Sequence, residues 1–158
     1  LKLQTMLETL LQTGIRLGEL QRLKVSNINI KRSKILIEAY STIPFREVPI
    51  NSTLLAILKK YIESCKDNIH LFQTKTGKQI HIRNLRQIIS KVLQKLELDK
   101  YSVNDIRNTF IVHQLRLGVD YKYIAEVVGH HNLSTTQRYI YLVPKYKNTK
   151  GAEIQDLI

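Results

Sequence analysis

Apolar residues near the start of the chain recur at intervals of three and four positions. This spacing places them on one face of a helix. A glycine, Gly14, follows the last of them and predicts the end of that helix. A second, shorter helix is expected in the segment IRLGELQRL. The apolar residues of the first helix are Leu3, Met6, Leu7, Leu10 and Leu11.

Three short runs rich in Ile and Val come next, within NINIKRSKILIEAYSTIPFREVPI. Polar residues 31–33 separate the first two runs, and a turn around residues 41–44 separates the second from the third. Short runs of β-branched residues bounded by turn residues are typical of paired strands. The pattern therefore predicts a small antiparallel sheet.

Helical spacing returns after the sheet. Asn51 or Ser52 can cap a helix that is rich in Leu and Ile. The segment HLFQTKTGKQIHI is expected to form a short strand or hairpin that turns at residues 76–77. Helical spacing then resumes in NLRQIISKVLQKLEL, so these segments add two helices to the predicted fold.

Glycines also mark the ends of the predicted helices in the last third of the chain. One apolar stripe begins at Val103 and stops at Gly118. Asp120 can cap the helix that follows, and Gly129 can close it. Two further helices are therefore expected between Val103 and Gly129.

A capping pattern predicts one more helix close to two histidines. Ser134 and Gln137 have the S-x-x-Q spacing of a capping box, so the helix is expected to run from about Thr135 through Tyr141. With Ser134 as the cap, Tyr139 would lie on a rigid support. His130 would lie in the loop before the helix, and both side chains could face one pocket.

These elements amount to a mainly α fold with a small antiparallel β-sheet. The 158 residues suffice for one domain with its own core, and no repeat or Gly/Ser linker divides them. The last piece, AEIQDLI, is too short to be stable as an isolated helix, and we expect it to dock on this domain or on a neighbour. Because the first helix opens in mid-pattern, without a capping residue or an initiator Met, we also expect a longer protein.

Positive charge is the main bias of the composition. The chain has 25 Lys and Arg residues against 13 Asp and Glu, a formal net charge of +12 and a pI near 9.9. Such an excess favours a phosphate-rich partner, although a basic surface can also serve solubility alone.

The single cysteine, Cys65, excludes an internal disulfide and a multi-thiolate metal site. Because the chain has no second cysteine for a disulfide, we expect a reducing, cytoplasmic setting. No apolar run approaches the roughly 20 residues that span a bilayer, so no membrane partner is expected.

Three motifs resemble a known family. TGIRLGELQRL, NDIRNTFIVHQLRLG and GHHNLSTTQRYIYL, in this order and at these separations, are similar to the three conserved boxes of the tyrosine recombinase, or phage-type integrase, family. The likeness is greatest to its Xer-like members. It spans nearly the whole chain, including the Ile-rich hairpin that ends in VPI and the LF segment near residue 72.

The resemblance implies a domain organisation. Residues 1–147 would form the catalytic domain that cuts and rejoins DNA strands, and residues 148–158 would form a tail that docks on a neighbouring protomer. An N-terminal core-binding domain would lie outside this sequence.

The resemblance also implies a reaction and the residues that perform it. Tyr139 would attack a DNA phosphorus and form a 3′-phosphotyrosyl link. Arg16 and Arg107 would clamp the phosphate, since a guanidinium group donates two hydrogen bonds and stays charged. His130 would be a third donor, and Glu19 would orient Arg16 or His130. Neither a metal nor a cofactor would be needed.

Two positions depart from the pattern of the family. The family usually has a His three residues before the second arginine, where this chain has Asn104, an amide that cannot take up a proton near neutral pH. It also usually has a lysine in the first hairpin turn, and EAYSTIPFRE contains none. Arg46 holds its proton too tightly to be an efficient acid. Lys75 or Lys78 would substitute only if the second hairpin reached the DNA.

Double-stranded DNA is the partner that the resemblance implies. Arg83 and Arg86 open the helix after the second hairpin, where they are expected to contact DNA. His131 would face solvent or contact a phosphate. Self-association as a tetramer on paired DNA sites is expected of the full-length protein.

Two alternatives remain open. Asn104 and the lysine-free turn favour a recombinase-like DNA-binding protein that is catalytically impaired. A helix-turn-helix regulator unrelated to recombination would use LRLGVDYKYIAEVVG as its two helices, but it would leave the tyrosine motif and both arginine motifs unexplained.

Overall fold

Helices dominate the computed structural model, which describes residues 1–65 and 67–157. Short turns of 3-10 helix occur at Val25–Asn27 and Arg138–Leu142. Together with one small antiparallel sheet, the helices confirm the predicted fold class. The helices are α1 (Lys2–Thr13), α2 (Leu17–Arg22), α3 (Ser52–Glu63), α4 (Ile82–Lys95), α5 (Val103–Arg116), α6 (Tyr121–Val128) and α7 (Leu133–Gln137).

Gly14 ends α1, as its position predicts. Its backbone adopts φ 64°, and its N–H donates to the Leu10 carbonyl. A Cβ atom here would lie 2.5 Å from Phe110 Cδ1, so both the left-handed backbone and the close contact require glycine. This turn places Arg16 immediately before α2.

The sheet has three antiparallel strands in the order β1-β2-β3, namely Ile28–Asn29, Lys34–Ile37 and Arg46–Pro49. Ile35 lies opposite Val48, and both side chains are fully buried. Burial alternates along β2, as expected for a strand with one face on the core. The same register places Arg46 at the start of β3, opposite Ile37.

The core lies where α1 packs against α3 and α5, and where α6 packs against β3. Burying a large aliphatic or aromatic side chain stabilises the fold by about 1.5–3 kcal/mol. This common core holds the segments that carry the three motifs. Fully buried apolar residues are Leu20, Ile35, Val48, Leu54, Leu58, Leu71, Leu85, Ile89, Phe110, Ile111, Val119, Ile124 and Val128.

The second predicted hairpin forms a turn with isolated bridge pairs instead of regular strands. Gln73 pairs with Gln79, and Gly77 adopts φ 78° in the turn between them. His81 then caps α4, because its side chain accepts a hydrogen bond from the Arg83 N–H.

The caps of α3 and α6 agree with the sequence pattern. Asn51, rather than Ser52, is the cap of α3, and its side chain accepts from the Leu54 N–H. Asp120 caps α6, and Gly129 closes it in the left-handed conformation.

The predicted cap of α7 is wrong. Asn132 is the N-cap, since its side-chain oxygen accepts from the Ser134 N–H at 3.1 Å. Ser134 lies inside the helix, which begins two residues earlier than predicted. The chain then tightens into a 3-10 turn, so Tyr139 lies in that turn and not in a regular α-helix. Asn132 satisfies the free N–H of Ser134, the residue that was expected to be the cap.

The tail packs against its own domain over the residues described. The Gln155 backbone exchanges two hydrogen bonds, of 2.7 and 2.9 Å, with the buried side chain of Gln114. Leu157 is buried, and its N–H donates to Gln12 Oε1. Asp156 accepts a hydrogen bond from Ser52 at the start of α3. Docking on a neighbouring protomer stays a prediction.

None of the helices described has the length and apolar character that crossing a bilayer requires.

Candidate active site

Three arginines from distant parts of the chain converge on the last carbonyl groups of α6. Arg46 Nε donates to the Val127 carbonyl at 2.8 Å, and Arg107 Nη2 donates to the Val128 carbonyl at 2.8 Å. Arg16 Nη1 reaches the Val128 carbonyl at 3.3 Å, and its Nη2 donates to the next carbonyl at 2.9 Å. The end of a helix offers unpaired carbonyls and partial negative charge. The end of α6 is therefore a favourable place for several guanidinium groups to bind.

The shared Val128 carbonyl brings the guanidinium groups of Arg16 and Arg107 side by side. The Arg16 side chain is 33% exposed, so this pair has an open side. Burial and the charge of Arg16 lower the pKa of Arg107 to about 10, which leaves it protonated at neutral pH. Two adjacent cations with an open side form a suitable site for an anion.

Glu19 is a buried carboxylate between two of these cations. Arg46 binds it through two hydrogen bonds of 2.7 and 2.9 Å, and the backbone N–H of Arg16 donates to it at 2.8 Å. Burial by itself would raise the pKa of Glu19, but the hydrogen bond and charge of Arg46, with those of Arg16, hold it below its ordinary value. Glu19 therefore contacts Arg16, as one sequence alternative expected, but its main partner is Arg46.

His130 follows Gly129 at the end of α6, and a buried threonine fixes its ring. Its Nδ1 lies 2.6 Å from the hydroxyl of Thr136, whose side chain is fully buried. Burial, followed by the charges of Arg107 and Arg16, lowers the pKa of His130 to about 4. The imidazole is therefore neutral at pH 7. When the hydroxyl donates to Nδ1, the ring proton lies on Nε2.

Tyr139 is held beside Arg107 by an asparagine. Its hydroxyl donates to Asn108 Oδ1 at 2.7 Å, and Asn108 directly follows Arg107 in α5. Among the smaller influences on Arg107, Tyr139 raises its pKa. Tyr141, in contrast, is 89% exposed. The tyrosine of the third motif is therefore anchored on the helix that carries the second.

Comparison with protein-family models identifies the family of this chain. The model of the phage integrase family matches residues 1–145. The chain belongs to the phage integrase family.

Relatives of this phage integrase family member are recombinases. It is 31% identical over 137 residues to tyrosine recombinase XerA of Pyrococcus horikoshii, covering 84% of this chain and 48% of that protein. It is 34% identical over 148 residues to a tyrosine recombinase of Agathobacter rectalis, covering 89% and 48%. The chain thus spans about half the length of the curated relatives it matches.

Solved structures share the fold of this integrase-family domain. The crystal structure of XerA recombinase matches with a TM-score of 0.79 and 26% identity, covering 87% of this chain and 50% of that one. XerH recombinase in a post-cleavage complex with a palindromic difH substrate matches with a TM-score of 0.76 and 20% identity, covering 90% and 43%. The second likeness is evidence for the fold alone.

Asn104 lies in the first turn of α5. It is exposed and lines a cavity of about 260 Å³ together with Arg86. Leu17, which follows Arg16, lies on the same cavity. The fold thus brings Asn104 and Arg86 together near the start of α2, and Arg83 is exposed at the start of α4.

The fold does not bring Lys75 and Lys78 to the arginine cluster. Both are exposed in the turn before α4, and no hydrogen bond or ion pair joins either to the cluster within residues 1–65 and 67–157. His131 is also exposed. Tyr40 lies in the lysine-free first hairpin, and the guanidinium of Arg22, the last residue of α2, lies 3.8 Å from the centre of its ring.

Sequence reasoning missed three residues of this site. They are Arg46, Thr136 and Asn108, which contact Glu19, His130 and Tyr139 respectively. Arg46 was considered only as a poor acid, and the other two had no distinguishing signal beyond their places next to the motifs.

Proposed function

We propose that this chain is the catalytic domain of a site-specific DNA recombinase or integrase that cuts and rejoins strands through a 3′-phosphotyrosyl intermediate. The observation that carries the proposal is the convergence of Arg16 and Arg107 on one carbonyl, with Tyr139 anchored on the neighbour of Arg107. The relatives named tyrosine recombinases support it.

The arginine pair supplies charge where the reaction develops it. As the Tyr139 oxygen bonds to phosphorus and the bond to the 5′ oxygen breaks, the phosphate passes through a state with extra negative charge. Arg16 and Arg107 turn from the α6 carbonyls to the phosphate oxygens, where each can donate two hydrogen bonds. Neutral His130 adds the Nε2–H as a third donor, with Thr136 fixing the tautomer.

Two protons must move in this reaction, one leaving the phenol and one reaching the 5′ oxygen. The Asn104 amide can carry neither near neutral pH. Lys75 or Lys78 serves as the acid only if DNA binding moves their turn toward the phosphate. Water otherwise carries both protons. Because positioned acid–base groups typically contribute about 10²- to 10⁴-fold, we expect slow cleavage.

The proposed partner is double-stranded DNA, bound by the arginine cluster and by exposed Arg83, Arg86 and His131. Phosphate contacts from such residues give affinity that falls as salt rises. On paired DNA sites the full-length protein assembles as a tetramer, and residues 148–158 dock on the neighbouring protomer at the surface that holds the tail here. The cytoplasm is the proposed compartment, because the DNA substrate is found there.

A covalent adduct is the direct test. The protein is incubated with a pool of nicked duplexes of random sequence, which traps the cleaved strand, and is then run on a denaturing gel. We expect an adduct with wild type and with Tyr141→Phe, and none with Tyr139→Phe. Tyr141 is the matched control because it lies two positions away and is exposed.

The impaired DNA-binding protein remains the second candidate, and the exposed amide of Asn104 is the observation that favours it. It predicts salt-sensitive retention of the duplex pool without any adduct. An adduct that survives Tyr139→Phe would contradict the role of this tyrosine.

A further inference from the structure

Arg46 has no part in the proposed reaction, yet it is the more deeply buried neighbour of the reactive cluster. Its side chain is 10% exposed, whereas that of Arg16 is 33% exposed. A buried guanidinium group is costly to desolvate and needs partners for its N–H groups. The role of Arg46 can therefore be inferred from the groups that its N–H groups contact.

The first partner is the carboxylate of Glu19, for which Arg46 and Arg16 compete. Arg46 holds both oxygens, at 2.7 and 2.9 Å, whereas the Arg16 guanidinium reaches one oxygen at 3.4 Å. A two-point arginine–carboxylate pair is stronger and more directional than a single long contact. The negative charge of Glu19 is therefore satisfied mainly by Arg46.

This competition decides the state of Arg16. The Glu19 side chain is fully buried, and a buried carboxylate without a cation is strongly unfavourable. Without Arg46, the Arg16 guanidinium is the cation already in contact with the carboxylate. A full ion pair with Glu19 would cancel its charge and occupy its N–H groups, leaving fewer for an anion.

The second set of partners fixes Arg46 against the end of α6. Its Nε donates to the Val127 carbonyl at 2.8 Å. The guanidinium passes directly beside Gly129, where a Cβ atom would lie 2.8 Å from Arg46 Cζ. A lysine has one ammonium group and cannot bind the carboxylate at two points while it holds the carbonyl. Arginine thus joins β3, α2 and α6 at one place.

We propose that Arg46 is a positioning residue that occupies the Glu19 carboxylate and so keeps the Arg16 guanidinium free to bind a phosphate. The inference deepens the proposed function, on which it rests for the identity of that phosphate as DNA. The binding of an anion at Arg16 does not depend on that identity.

The test compares Arg46→Gln with the double variant Arg46→Gln/Glu19→Gln. Arg32→Gln is the matched control, since it makes the same change in an arginine whose ion pair with Glu47 lies on the surface. Adduct formation is measured at saturating duplex DNA, at a temperature where circular dichroism shows every variant folded. The rate at saturation separates this role from weaker DNA binding.

We expect Arg46→Gln to slow adduct formation about 10²-fold, the usual effect of losing one donor to a developing oxyanion. The double variant should recover to within about 10-fold of wild type, because no carboxylate remains to capture Arg16. Arg32→Gln should match wild type. A merely structural role predicts no recovery, since the double variant loses more contacts than the single one.

Two results would overturn the proposal: a folded Arg46→Gln protein that reacts at the wild-type rate, or a double variant as slow as the single one. If Arg46→Gln fails to fold, Arg46→Lys replaces it. One ammonium group still neutralises Glu19, so its rate should stay within about 10-fold of wild type. If Arg46→Lys reacted as slowly as Arg16→Gln, a positive charge beside Glu19 would not be what keeps Arg16 free.

A second readout separates this inference from the proposed function. Inorganic phosphate is titrated while NMR follows the Arg16 side-chain Nε–H. Wild type and the double variant should saturate at about 10-fold lower phosphate than Arg46→Gln. If wild type gives no adduct with any duplex, the proposed function fails, and equal phosphate affinities in all three proteins would then reject the role of Arg46.

Discussion

The three arginines of the cluster differ in whether a phosphate could displace the group that each of them binds. Arg16 and Arg107 bind backbone carbonyls of α6, which are neutral acceptors that an anion can displace. Arg46 binds a buried carboxylate, which an anion cannot displace without leaving Glu19 unpaired. The three guanidinium groups are alike in chemistry, but their partners give them different functions.

Asn104→His is expected to speed adduct formation. The imidazole can take up and release a proton near neutral pH, and such help is typically worth about 10²-fold or more. The rate should also acquire a titration step near the imidazole pKa. The measurement is the rate of adduct formation against pH. Asn104→Gln is the control, because it keeps an amide and should show neither gain nor step.

His130 should make the stability of the domain depend on pH. Its pKa is lowered from 6.5 to about 4 in the folded protein, so between these values the unfolded chain binds more protons. The free energy of unfolding should be greatest above about pH 6.5 and fall as pH drops toward 4. Urea unfolding at several pH values measures this slope, which His130→Asn should reduce. An unchanged slope in that variant would contradict a half-buried His130 that stays neutral in the folded protein.

The end of α6 is the element on which the site is built. Its last carbonyls receive the arginines, Gly129 closes it, and His130 follows directly. Two features there exclude a side chain at Gly129, namely φ 71° and the guanidinium of Arg46. The glycine therefore serves both the helix end and the cluster.

Gly129→Ala is expected to destabilise the domain by more than Gly77→Ala. Both glycines have positive φ, 71° and 78°, so both variants carry a backbone penalty on the order of 1 kcal/mol. At Gly77 the nearest atom lies 3.8 Å from the added Cβ, whereas at Gly129 the Cβ also meets Arg46 at 2.8 Å. Denaturant unfolding measures the difference. Equal losses would mean that Arg46 moves aside freely.

In the whole domain, the tail closes the side formed by α1, α3 and α5. Two buried glutamines, Gln12 and Gln114, form hydrogen bonds with the backbone of the tail, and the side chain of Leu157 is buried. The contacts to the Gln155 backbone do not depend on its side chain. A surface of this kind can receive the same segment from another copy, which is how we propose that protomers connect on DNA.

Gln114→Leu is expected to release the tail and lower the free energy of unfolding by about 1–3 kcal/mol, since the Gln155 backbone loses both partners. It should also weaken self-association on DNA if the same surface receives a neighbour's tail. Gln155→Ala is the control, because the backbone hydrogen bonds remain. Urea unfolding and analytical ultracentrifugation with duplex DNA measure the two effects. A Gln155→Ala loss as large as that of Gln114→Leu would contradict backbone recognition.

The order of amino acids alone determined the helices and the sheet, because apolar spacing and glycine ends act within a few neighbouring positions. The motif residues Arg16, Arg107 and Tyr139 were indicated by the resemblance of three short segments to the phage-type integrase family, and not by that spacing. The sequence did not determine the cap of α7, where Asn132 and Ser134 are both suitable residues.

Only the tertiary structure decided which side chains pair in the site. Glu19 and Arg46 lie 27 positions apart, and Tyr139 and Asn108 lie 31 apart, so no local spacing links either pair. Glu19 had Arg16 within its own helix turn as a sequence-level partner. The register of β3 brought a second arginine with better geometry, and in a buried site the two-point ion pair prevails over the single contact.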